Sequence, residues 1–235
     1  MNTSEKNNLC IIPARGGSKR IPRKNIKDFL GKPIIAYSIQ AALDSGLFAE
    51  VMVSTDDEQI AEVAQQYGAK VPFMRSKETA DDFATTLDVI KEVVRQYKEN
   101  HLVFDAVCCI YATAPFVSGL HLKKSYDVFK TNDFDALFPV MAFGFPIQRA
   151  LKVKDDKSAF IYEEHINTRS QDLEKAYHDA GQFYWMKNEL AINGTSLMTG
   201  HTGAYMINEL EAQDIDTETD WKLAELKYEL LQSTK

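Results

Sequence analysis

The sequence predicts an α/β fold in which a mostly parallel sheet carries helices on both faces. Through the first 140 residues or so, short apolar runs of strand length alternate with longer segments of helical periodicity. The strand-like runs are rich in β-branched residues, which is typical of parallel strands buried on both faces. With 235 residues, 45% of them apolar, the chain can bury a substantial core, and we expect one domain spanning residues 1–235.

The predicted elements of the first half alternate regularly. Strands are predicted at 9–13, 50–54, 70–74, 106–110 and 135–140, and helices at 33–45, 58–67, 85–97 and 119–129. Pro33 suits the first turn of the first helix, and Gly46 is placed to end it. Asp56 or Asp57 is predicted to cap the second helix, which Gly68 stops.

The alternation fails between residues 141 and 179, a span much longer than the usual connection of about 2–6 residues. This segment is polar and rich in aromatic and basic residues, so we expect it to fold as an extension of the domain. Regular patterns return with predicted strands at 182–186 and 201–207 and an amphipathic helix at 217–231.

Charge is unevenly distributed along the chain. The net charge of −7 argues against general nucleic-acid binding. The segment 11–27 nevertheless carries only cations, namely Arg15, Lys19, Arg20, Arg23, Lys24 and Lys27. The segment 209–220 carries only acids, namely Glu209, Glu211, Asp214, Asp216, Glu218 and Asp220. A basic loop and an acidic tract suit a polyphosphate and its metal ion, and two solvated faces are the alternative interpretation.

The cysteine pattern and the hydropathy indicate a cytoplasmic protein. Cys10, Cys108 and Cys109 fall in apolar, strand-like stretches with neither disulfide-framework nor zinc spacing, so we expect reduced core residues. No run approaches the roughly 18 apolar residues of a membrane span. The first ten residues are polar and lack the apolar core of a signal peptide.

The segment IIPARGGSKRIPRKN follows the first predicted strand, where ligands bind in sheets of this kind. Gly16 and Gly17 let the backbone approach a bulky anion with N–H groups free to donate to phosphate oxygens. Arg15 can bind phosphate bidentately, and Lys19 and Lys24 act as point charges. The spacing matches neither a Walker A loop nor the dinucleotide-binding glycine pattern. A basic surface turn is the minority interpretation.

This basic loop closely resembles that of the sialic-acid-type cytidylyltransferases, the CMP-N-acylneuraminate synthetase family. Further family motifs recur in order: GKPIIAYSI at 31–39, STD at 54–56, TAP at 113–115 and DIDTETD at 214–220. The resemblance covers nearly the whole chain. It implies a Rossmann-like nucleotide-diphospho-sugar transferase fold, with the extension (residues 141–179) forming a homodimer contact. It also implies transfer of CMP from CTP to the anomeric hydroxyl of an acidic nine-carbon sugar, with release of pyrophosphate.

Two tracts narrow the resemblance to the pseudaminic acid cytidylyltransferases. They are FPIQRAL at 145–151 and YHDAGQFYW at 177–185. Family members that act on N-acetylneuraminate usually have Arg-Pro-Asn-Gly at 178–181 and Gln where Tyr111 stands. These departures fall where the sugar is expected to lie. Pseudaminic acid is therefore the implied sugar, and synthesis of CMP-N-acetylneuraminate or CMP-legionaminate by the same mechanism is the alternative.

The resemblance also implies a nucleotide site around the basic loop. Arg15 and Lys24 would stabilise the negative charge that develops on the phosphates, and Asn25 would help to hold the nucleotide. The CTP-binding candidates are Ala14, Arg15, Gly16, Gly17, Ser18, Lys19, Asn25, Asp82, Thr85 and Thr86. Asp82, Thr85 and Thr86 match a family turn that contacts nucleotide. Capping of a helix by these residues is an equally supported interpretation.

The acidic tract resembles the family's metal motif. Asp214 and Asp216 alternate along a segment expected to be extended, so both carboxylates can reach one Mg²⁺. Asp220 is predicted to form a capping box with Thr217, and the alternative makes all three aspartates helix caps. A non-catalytic nucleotide- or sugar-binding module would lack either the basic loop or the acidic pair, and both are present.

The sugar-binding candidates are Tyr111, Thr113, Gln148, Arg149, Arg169 and His178. Tyr111 and Thr113 follow a predicted strand and are expected to face the cleft. Gln148, Arg149 and Arg169 can supply the cation or amide that an acidic sugar requires, although a solvated loop is the competing interpretation. His178 is the only histidine within a motif, and no residue stands out as a separate general base. The aromatic tract 183–185 is predicted to be a core strand.

Overall fold

The computed structural model describes residues 7–233. Its strands, in chain order, are β1 Asn8–Pro13, β2 Asp28–Phe29, β3 Lys32–Pro33, β4 Glu50–Ser54, β5 Ala106–Ile110, β6 Ala136–Ala142, β7 Leu151–Lys154, β8 Lys157–Phe160, β9 Tyr177–Asp179, β10 Phe183–Lys187 and β11 Thr202–Met206. Its helices are α1 Ile35–Ser45, α2 Glu58–Gln66, α3 Lys77–Ala80, α4 Thr86–Glu99, α5 Gly119–Thr131, α6 Asn188–Asn193 and α7 Glu218–Ser233. Short 3₁₀ turns occur at Lys24–Ile26, Ile147–Arg149, Glu163–His165, Ser170–Asp172 and Glu209–Glu211.

Seven strands form one mixed sheet in the order β11-β6-β10-β5-β1-β4, with β9 also paired to β6. β1 is parallel to both β4 and β5, and β11 is parallel to β6. β10 runs antiparallel between β5 and β6. β9 is antiparallel to the end of β6, and residues 180–182 interrupt the ladder before β10 continues it. The predicted mostly parallel sheet is confirmed, with these two antiparallel strands added to it.

Apolar clusters cover both faces of the sheet. Alternate residues of β1 point to opposite sides, so that Cys10 and Ile12 join one cluster while Leu9 and Ile11 join the other. Helices α1, α2 and α5 pack on the first cluster, and α4 and α6 pack on the second. The prediction of helices on both faces is therefore confirmed. All three cysteines are buried and unpaired, as predicted.

A third apolar cluster joins segments that are far apart in the chain. Ile21 from the basic loop, Ile215 from the acidic tract and Trp221 of α7 are each at most 3% exposed and pack in it together. The Phe29 ring meets the Trp221 ring edge-on, with centroids 5.6 Å apart. Lys27 lies over the Trp221 ring at 4.6 Å and pairs with Glu218. This cluster holds the basic loop against the acidic tract.

Several predicted element boundaries are confirmed by cap geometry. α1 ends at Gly46, which has φ 58°, a conformation that glycine adopts at little cost. Asp57, rather than Asp56, caps α2, because its carboxylate accepts the Ile60 N–H at 3.0 Å. Gly68, with φ 93°, follows the end of α2 as expected.

The start of the first helix and one predicted strand were wrong. Pro33 does not open the first helix, because it pairs with Asp28 in the β2–β3 hairpin and α1 begins only at Ile35. The strand predicted at 70–74 is reduced to one bridge between Lys70 and Met52. The short helices α3 and α6 had no periodic pattern long enough to predict them.

The extension (residues 141–179) contains the β7–β8 hairpin and three 3₁₀ turns. Its two ends belong to the sheet, since β6 runs to Ala142 and β9 begins at Tyr177. The hairpin residues are exposed apart from the half-buried Phe160. Within residues 7–233, every helix is too short or too polar to span a lipid bilayer.

Candidate active site

A cavity of about 480 Å³ opens at the carboxyl ends of β1 and β5. Its walls come from the basic loop after β1, from the segment between Arg75 and Val89, from the three residues after β5, and from Asp216. The position agrees with the rule that ligands bind outside the carboxyl ends of parallel strands. The cavity thus joins the motifs that the sequence placed after β1 and β5.

The basic loop is held in place by its own polar side chains. Asn25 donates its side-chain amide to the Arg15 carbonyl at 2.9 Å. Arg23, in a left-handed conformation with φ 56°, binds both carboxylate oxygens of Asp57 at 2.5 and 2.9 Å. Lys24 has a largely buried side chain that donates to the Ile215 carbonyl at 2.7 Å. Asn25 and Lys24 both line the cavity, so anchoring the loop also positions these two side chains there.

Gly16 is needed for a reason that the sequence did not show. Its N–H donates to Asp56 Oδ1 at 2.9 Å. We had expected this N–H to be free to donate to a phosphate, and in this structure it is not. A Cβ on Gly16 would lie 2.8 Å from Asp57 Oδ2, whereas a Cβ on Gly17 would meet nothing within 4 Å. Gly16 therefore permits close packing of the loop against Asp57. Of these two glycines, only Gly17 has open space where a Cβ would lie.

Two cations of the basic loop share one carboxylate. Arg15 Nη1 lies 2.6 Å from Asp82 Oδ1 and 3.0 Å from the Asp81 carbonyl, and Lys19 Nζ contacts Asp82 Oδ2. Hydrogen bonds from Lys19 and then Arg15 lower the pKa of Asp82, so the group is an anion at neutral pH. An anion here repels phosphate. Asp82 therefore acts in this structure as the counter-ion of Arg15 and Lys19.

The other two candidates from the same turn lie at the start of α4. Thr85 caps the helix and forms a capping box with Asp88, which confirms the capping interpretation for this residue. Thr86 lines the cavity instead, and its hydroxyl lies 3.2 Å from the Tyr111 hydroxyl.

Arg75 is a cavity residue that the sequence analysis missed. It is 8% exposed, donating through Nε to Ser54 Oγ at 3.0 Å and through Nη2 to the Ser54 carbonyl at 2.6 Å. Burial lowers the pKa of Arg75, but guanidinium titrates so high that it stays a cation. An arginine ending the apolar run VPFMR was the available signal. It adds a buried positive charge to the cavity.

The acidic pair lies on either side of a buried anchor. Ile215 is 1% exposed, and the carboxylates of Asp214 and Asp216 flank it. Asp216 lines the cavity, with Oδ1 at 2.7 Å from Arg20 Nη2 and 3.7 Å from Lys24 Nζ. Although Asp214 as a whole is exposed, partial desolvation of its carboxyl group raises its pKa. The neighbouring Asp216 raises this pKa further, and Lys24 lowers it. A bound cation would relieve this repulsion.

These two aspartates offer the oxygen ligands that a magnesium ion takes, and a substrate would have to supply the remaining ligands. Magnesium takes oxygen ligands and commonly uses only one or two protein carboxylates beside phosphates and water. Among residues 7–233, no three His, Cys, Asp or Glu side chains gather closely enough to enclose a metal by themselves. Asp220 has another role, because its Oδ2 accepts the Thr217 N–H at 2.7 Å and the Thr217 hydroxyl at 2.8 Å. The predicted capping box is confirmed.

The predicted sugar-binding residues divide into two groups. Tyr111 and Thr113 line the cavity. The other four, all in the extension, make local contacts: Gln148 to the Glu174 carbonyl at 3.0 Å, Arg149 to the Thr168 carbonyl at 3.2 Å, Arg169 to Asp172 at 2.7 Å, and His178 to the Asp179 carbonyl at 2.9 Å. The chain thus brings only the first group to the cavity lining.

The fold and cavity define an α/β protein whose site, at the carboxyl ends of parallel strands, brings the cations of the basic loop and Arg75 together with Asp216. Comparison with known proteins then identifies the family, because a family model described as cytidylyltransferase matches residues 9–232. The chain belongs to the cytidylyltransferase family and is a nucleotidyltransferase.

The relatives agree with this family. The pseudaminic acid cytidylyltransferase of Campylobacter jejuni is 46% identical over 224 residues, covering 95% of this chain and 97% of that protein. The CMP-N,N'-diacetyllegionaminic acid synthase of Legionella pneumophila is 32% identical, covering 95% of this chain and 97% of that protein. A solved structure of CMP:2-keto-3-deoxy-manno-octonic acid synthetase complexed with CTP has a TM-score of 0.70 at 19% identity, covering 96% of this chain and 99% of that one. The predicted nucleotide-diphospho-sugar transferase fold is confirmed.

Proposed function

We propose that this protein transfers CMP from CTP to the anomeric hydroxyl of pseudaminic acid, giving the CMP-sugar and pyrophosphate. The observation that carries the proposal is the meeting of the basic loop, the buried Arg75 and the acidic Asp216 in one cavity. The 46% identity to the Campylobacter jejuni enzyme over nearly the whole of both chains supports the choice of reaction and sugar.

The reaction needs charge neutralisation and positioning more than a nucleophilic side chain. The anomeric oxygen attacks the α-phosphorus, the bond from that phosphorus to the pyrophosphate oxygen breaks, and the hydroxyl proton passes to solvent water. Arg15 and Lys19 bind the phosphates after exchanging Asp82 for them. Lys24, fixed by the Ile215 carbonyl at 2.7 Å, holds a positive charge where negative charge develops. Asn25 orients the loop through the Arg15 carbonyl.

Asp214 and Asp216 are the residues that would hold Mg²⁺. When bound, the ion would neutralise phosphate charge and lower the pKa of the attacking hydroxyl. Asp216 is paired with Arg20 at 2.7 Å, so Arg20 is expected to move from Asp216 toward the phosphates when the ion binds. Desolvation and then the neighbouring Asp216 raise the pKa of Asp214, and a bound cation would favour the ionised form of this carboxyl group, which supports the role.

Sugar choice is the finer part of the proposal. A relative acting on a legionaminic acid is 32% identical, against 46% for the pseudaminic acid enzyme, which supports pseudaminic acid over the legionaminate alternative. The test is mass spectrometry of the products formed from CTP with a panel of nonulosonic acids. We expect kcat/KM for pseudaminic acid to exceed that for N-acetylneuraminate by at least about a hundredfold. Equal use of both sugars would contradict the choice.

We further propose that residues 1–235 act as one cytidylyltransferase domain that pairs with a second copy through the extension. Large apolar side chains are exposed there, including Phe145 at 87% and Val153 at 72%, and a two-fold dimer is the commonest assembly that would cover them. Pairing would also give Gln148, Arg149 and Arg169 a route to a cavity that they do not line within one subunit. The buried, unpaired cysteines support a cytoplasmic location.

A further inference from the structure

Arg23 is a cation of the basic loop whose side chain turns away from the cavity. The structure describes all of segment 11–27, and four of its six cations line the cavity while Arg23 and Lys27 do not. Arg23 lies directly before the 3₁₀ turn Lys24–Ile26 with φ 56° and ψ 29°, in the left-handed region that favours glycine. The contacts of its side chain therefore have to offset a strained backbone.

The Arg23 side chain binds the start of α2. Its Nη1 donates to Asp57 Oδ2 at 2.5 Å, and its Nη2 donates to Asp57 Oδ1 at 2.9 Å and to Gln59 Oε1 at 2.6 Å. The hydrogen bond from Arg23 is the main factor that lowers the pKa of Asp57, so the carboxylate is charged at neutral pH. A bidentate arginine–carboxylate pair fixes orientation as well as distance. These contacts, the Arg23–Asp57 clamp, therefore fix the loop relative to α2.

On the α2 side, the clamp is attached to a fixed part of the core. Asp57 Oδ1 also accepts the Ile60 N–H at 3.0 Å as the cap of α2. Ile60 and Ala64 are at most 1% exposed and pack in the apolar cluster that α1, α2 and α5 share. The carboxylate that Arg23 binds is thus held by a helix that is itself anchored in the core.

On the cavity side, the clamp acts on the two residues that follow Arg23. Lys24 and Asn25 both line the cavity, and Asn25 donates to the Arg15 carbonyl at 2.9 Å. The left-handed turn at Arg23 sets the direction in which the chain continues into these two residues. Since neither clamp residue lines the cavity, any effect of the clamp on a ligand passes through the loop residues that do.

We propose that Arg23 and Asp57 are positioning residues that hold the cavity face of the basic loop in the arrangement that binds CTP. The inference rests on the proposed function, because it assumes that the cavity takes the phosphates of CTP. In the competing interpretation, Arg23 only adds positive charge near the phosphates. That interpretation predicts the opposite effect for Asp57, because an anion beside the loop would weaken phosphate binding.

The test measures the binding of CTP with magnesium by titration calorimetry in the absence of sugar. Arg23→Gly removes the clamp, so the Kd for CTP should rise about fivefold to tenfold. Its melting temperature should stay close to that of the wild type, because glycine adopts φ 56° at no steric cost and partly exposed ion pairs stabilise weakly. In steady-state assays, KM for the sugar should stay within about twofold of the wild-type value. A merely structural role would instead lower the melting temperature and leave the Kd unchanged.

Asp57→Asn separates positioning from simple charge. An asparagine oxygen still caps α2, but the bidentate contact with Arg23 is lost. Positioning predicts a rise in the Kd for CTP similar to that of Arg23→Gly, whereas simple charge predicts a fall, since an anion near the phosphates has been removed. Because both residues act through one contact, Arg23→Gly/Asp57→Asn should bind CTP no more weakly than the weaker single variant.

Asp133→Gly is the matched control. Asp133 is also a non-glycine residue in the left-handed region, with φ 53°, and its carboxylate pairs with Lys187 at 3.0 Å. It precedes β6, at the end of the sheet opposite the cavity. Glycine at this position likewise removes an ion pair and relieves the backbone, so the Kd for CTP should equal that of the wild type.

Three results would overturn the inference alone: wild-type affinity for CTP in Arg23→Gly, tighter binding of CTP in Asp57→Asn, or additive losses of affinity in the double variant. A wild-type protein that binds no CTP would instead overturn the proposed function, and the inference with it. The wild-type titration therefore distinguishes the two failures.

Discussion

Gly16 packs directly against Asp57. A Cβ at Gly16 would lie 2.8 Å from Asp57 Oδ2 and 3.1 Å from Asp57 Cβ, inside van der Waals contact. Asp57 has little freedom to move, because Arg23 binds both of its oxygens and it caps α2 through the Ile60 N–H. One carboxylate therefore couples the start of α2 to the shape of the basic loop.

Gly16→Ala should disturb the loop and the helix cap together. We expect kcat/KM for CTP to fall at least about tenfold, since a loop misplaced by 1 Å loses much of its positioning effect. A displaced cap should also cost about 1 kcal/mol of unfolding free energy. Gly17→Ala is the control for stability, because its Cβ meets nothing within 4 Å, and its melting temperature should match the wild type. If Gly16→Ala keeps the melting temperature and turnover of the wild type, Asp57 can move away from the added Cβ at little cost, and the prediction is contradicted.

Arg15→Ala should remove a cation from the phosphate site without unfolding the protein. We expect kcat to fall by about a hundredfold or more, as for the loss of an electrostatic transition-state donor. The melting temperature should change little, because the Arg15 and Asp82 side chains are both more than a third exposed and such pairs stabilise weakly. Lys70→Ala, which breaks an exposed pair with Glu50 at the amino end of β4, should keep normal turnover. Near-normal turnover of Arg15→Ala would remove Arg15 from this role.

Asp82→Asn distinguishes a counter-ion from a nucleotide ligand. If the carboxylate competes with phosphate for Arg15 and Lys19, its neutralisation should lower KM for CTP about two- to fivefold. A direct contact with nucleotide or its metal predicts the opposite change. Asp44→Asn, which neutralises a surface carboxylate that accepts from the Gln40 side chain on α1, should leave KM for CTP unaltered. An increase in KM for Asp82→Asn would contradict the counter-ion interpretation.

The acidic tract should separate into two metal ligands and one helix cap. Asp214→Asn and Asp216→Asn should abolish turnover at ordinary magnesium concentrations while changing the melting temperature little. Asp220→Asn should cost about 1 kcal/mol of stability and leave turnover largely intact, since Asp220 caps α7 with Thr217. Activity is measured after chelation and re-addition of limiting magnesium. Turnover that survives in both Asp214→Asn and Asp216→Asn would contradict the metal assignment.

The extension should hold two copies of the chain together. For the wild type, light scattering is expected to report a dimer at micromolar concentration. For Phe145→Glu/Val153→Glu it should report a monomer, because charges would then replace two of the most exposed apolar side chains. Leu226→Glu on α7 is the control, since that residue is 64% exposed outside the extension. A wild-type monomer, or a monomer only with Leu226→Glu, would rule out this interface.

The sequence by itself determined the strand–helix alternation, the position of the site and the local caps. These depend on residues close together in the chain: the apolar period of β1 and β5, Gly46 at the end of α1, and Thr217 with Asp220 at the start of α7. The cavity after β1 was predictable for the same reason, since a basic loop that follows a parallel strand lies at the ligand-binding edge.

Only the tertiary structure decided which side chains meet inside that cavity. Asp82 pairs with Arg15 across 67 positions of sequence, and Arg20 pairs with Asp216 across 196. Nothing in the local pattern around Asp82 distinguishes a counter-ion from a nucleotide ligand, because the difference depends on which charges other segments bring to it. The antiparallel β10 was equally hidden, since its apolar residues 183–186 suit either strand direction and the neighbours β5 and β6 decide it.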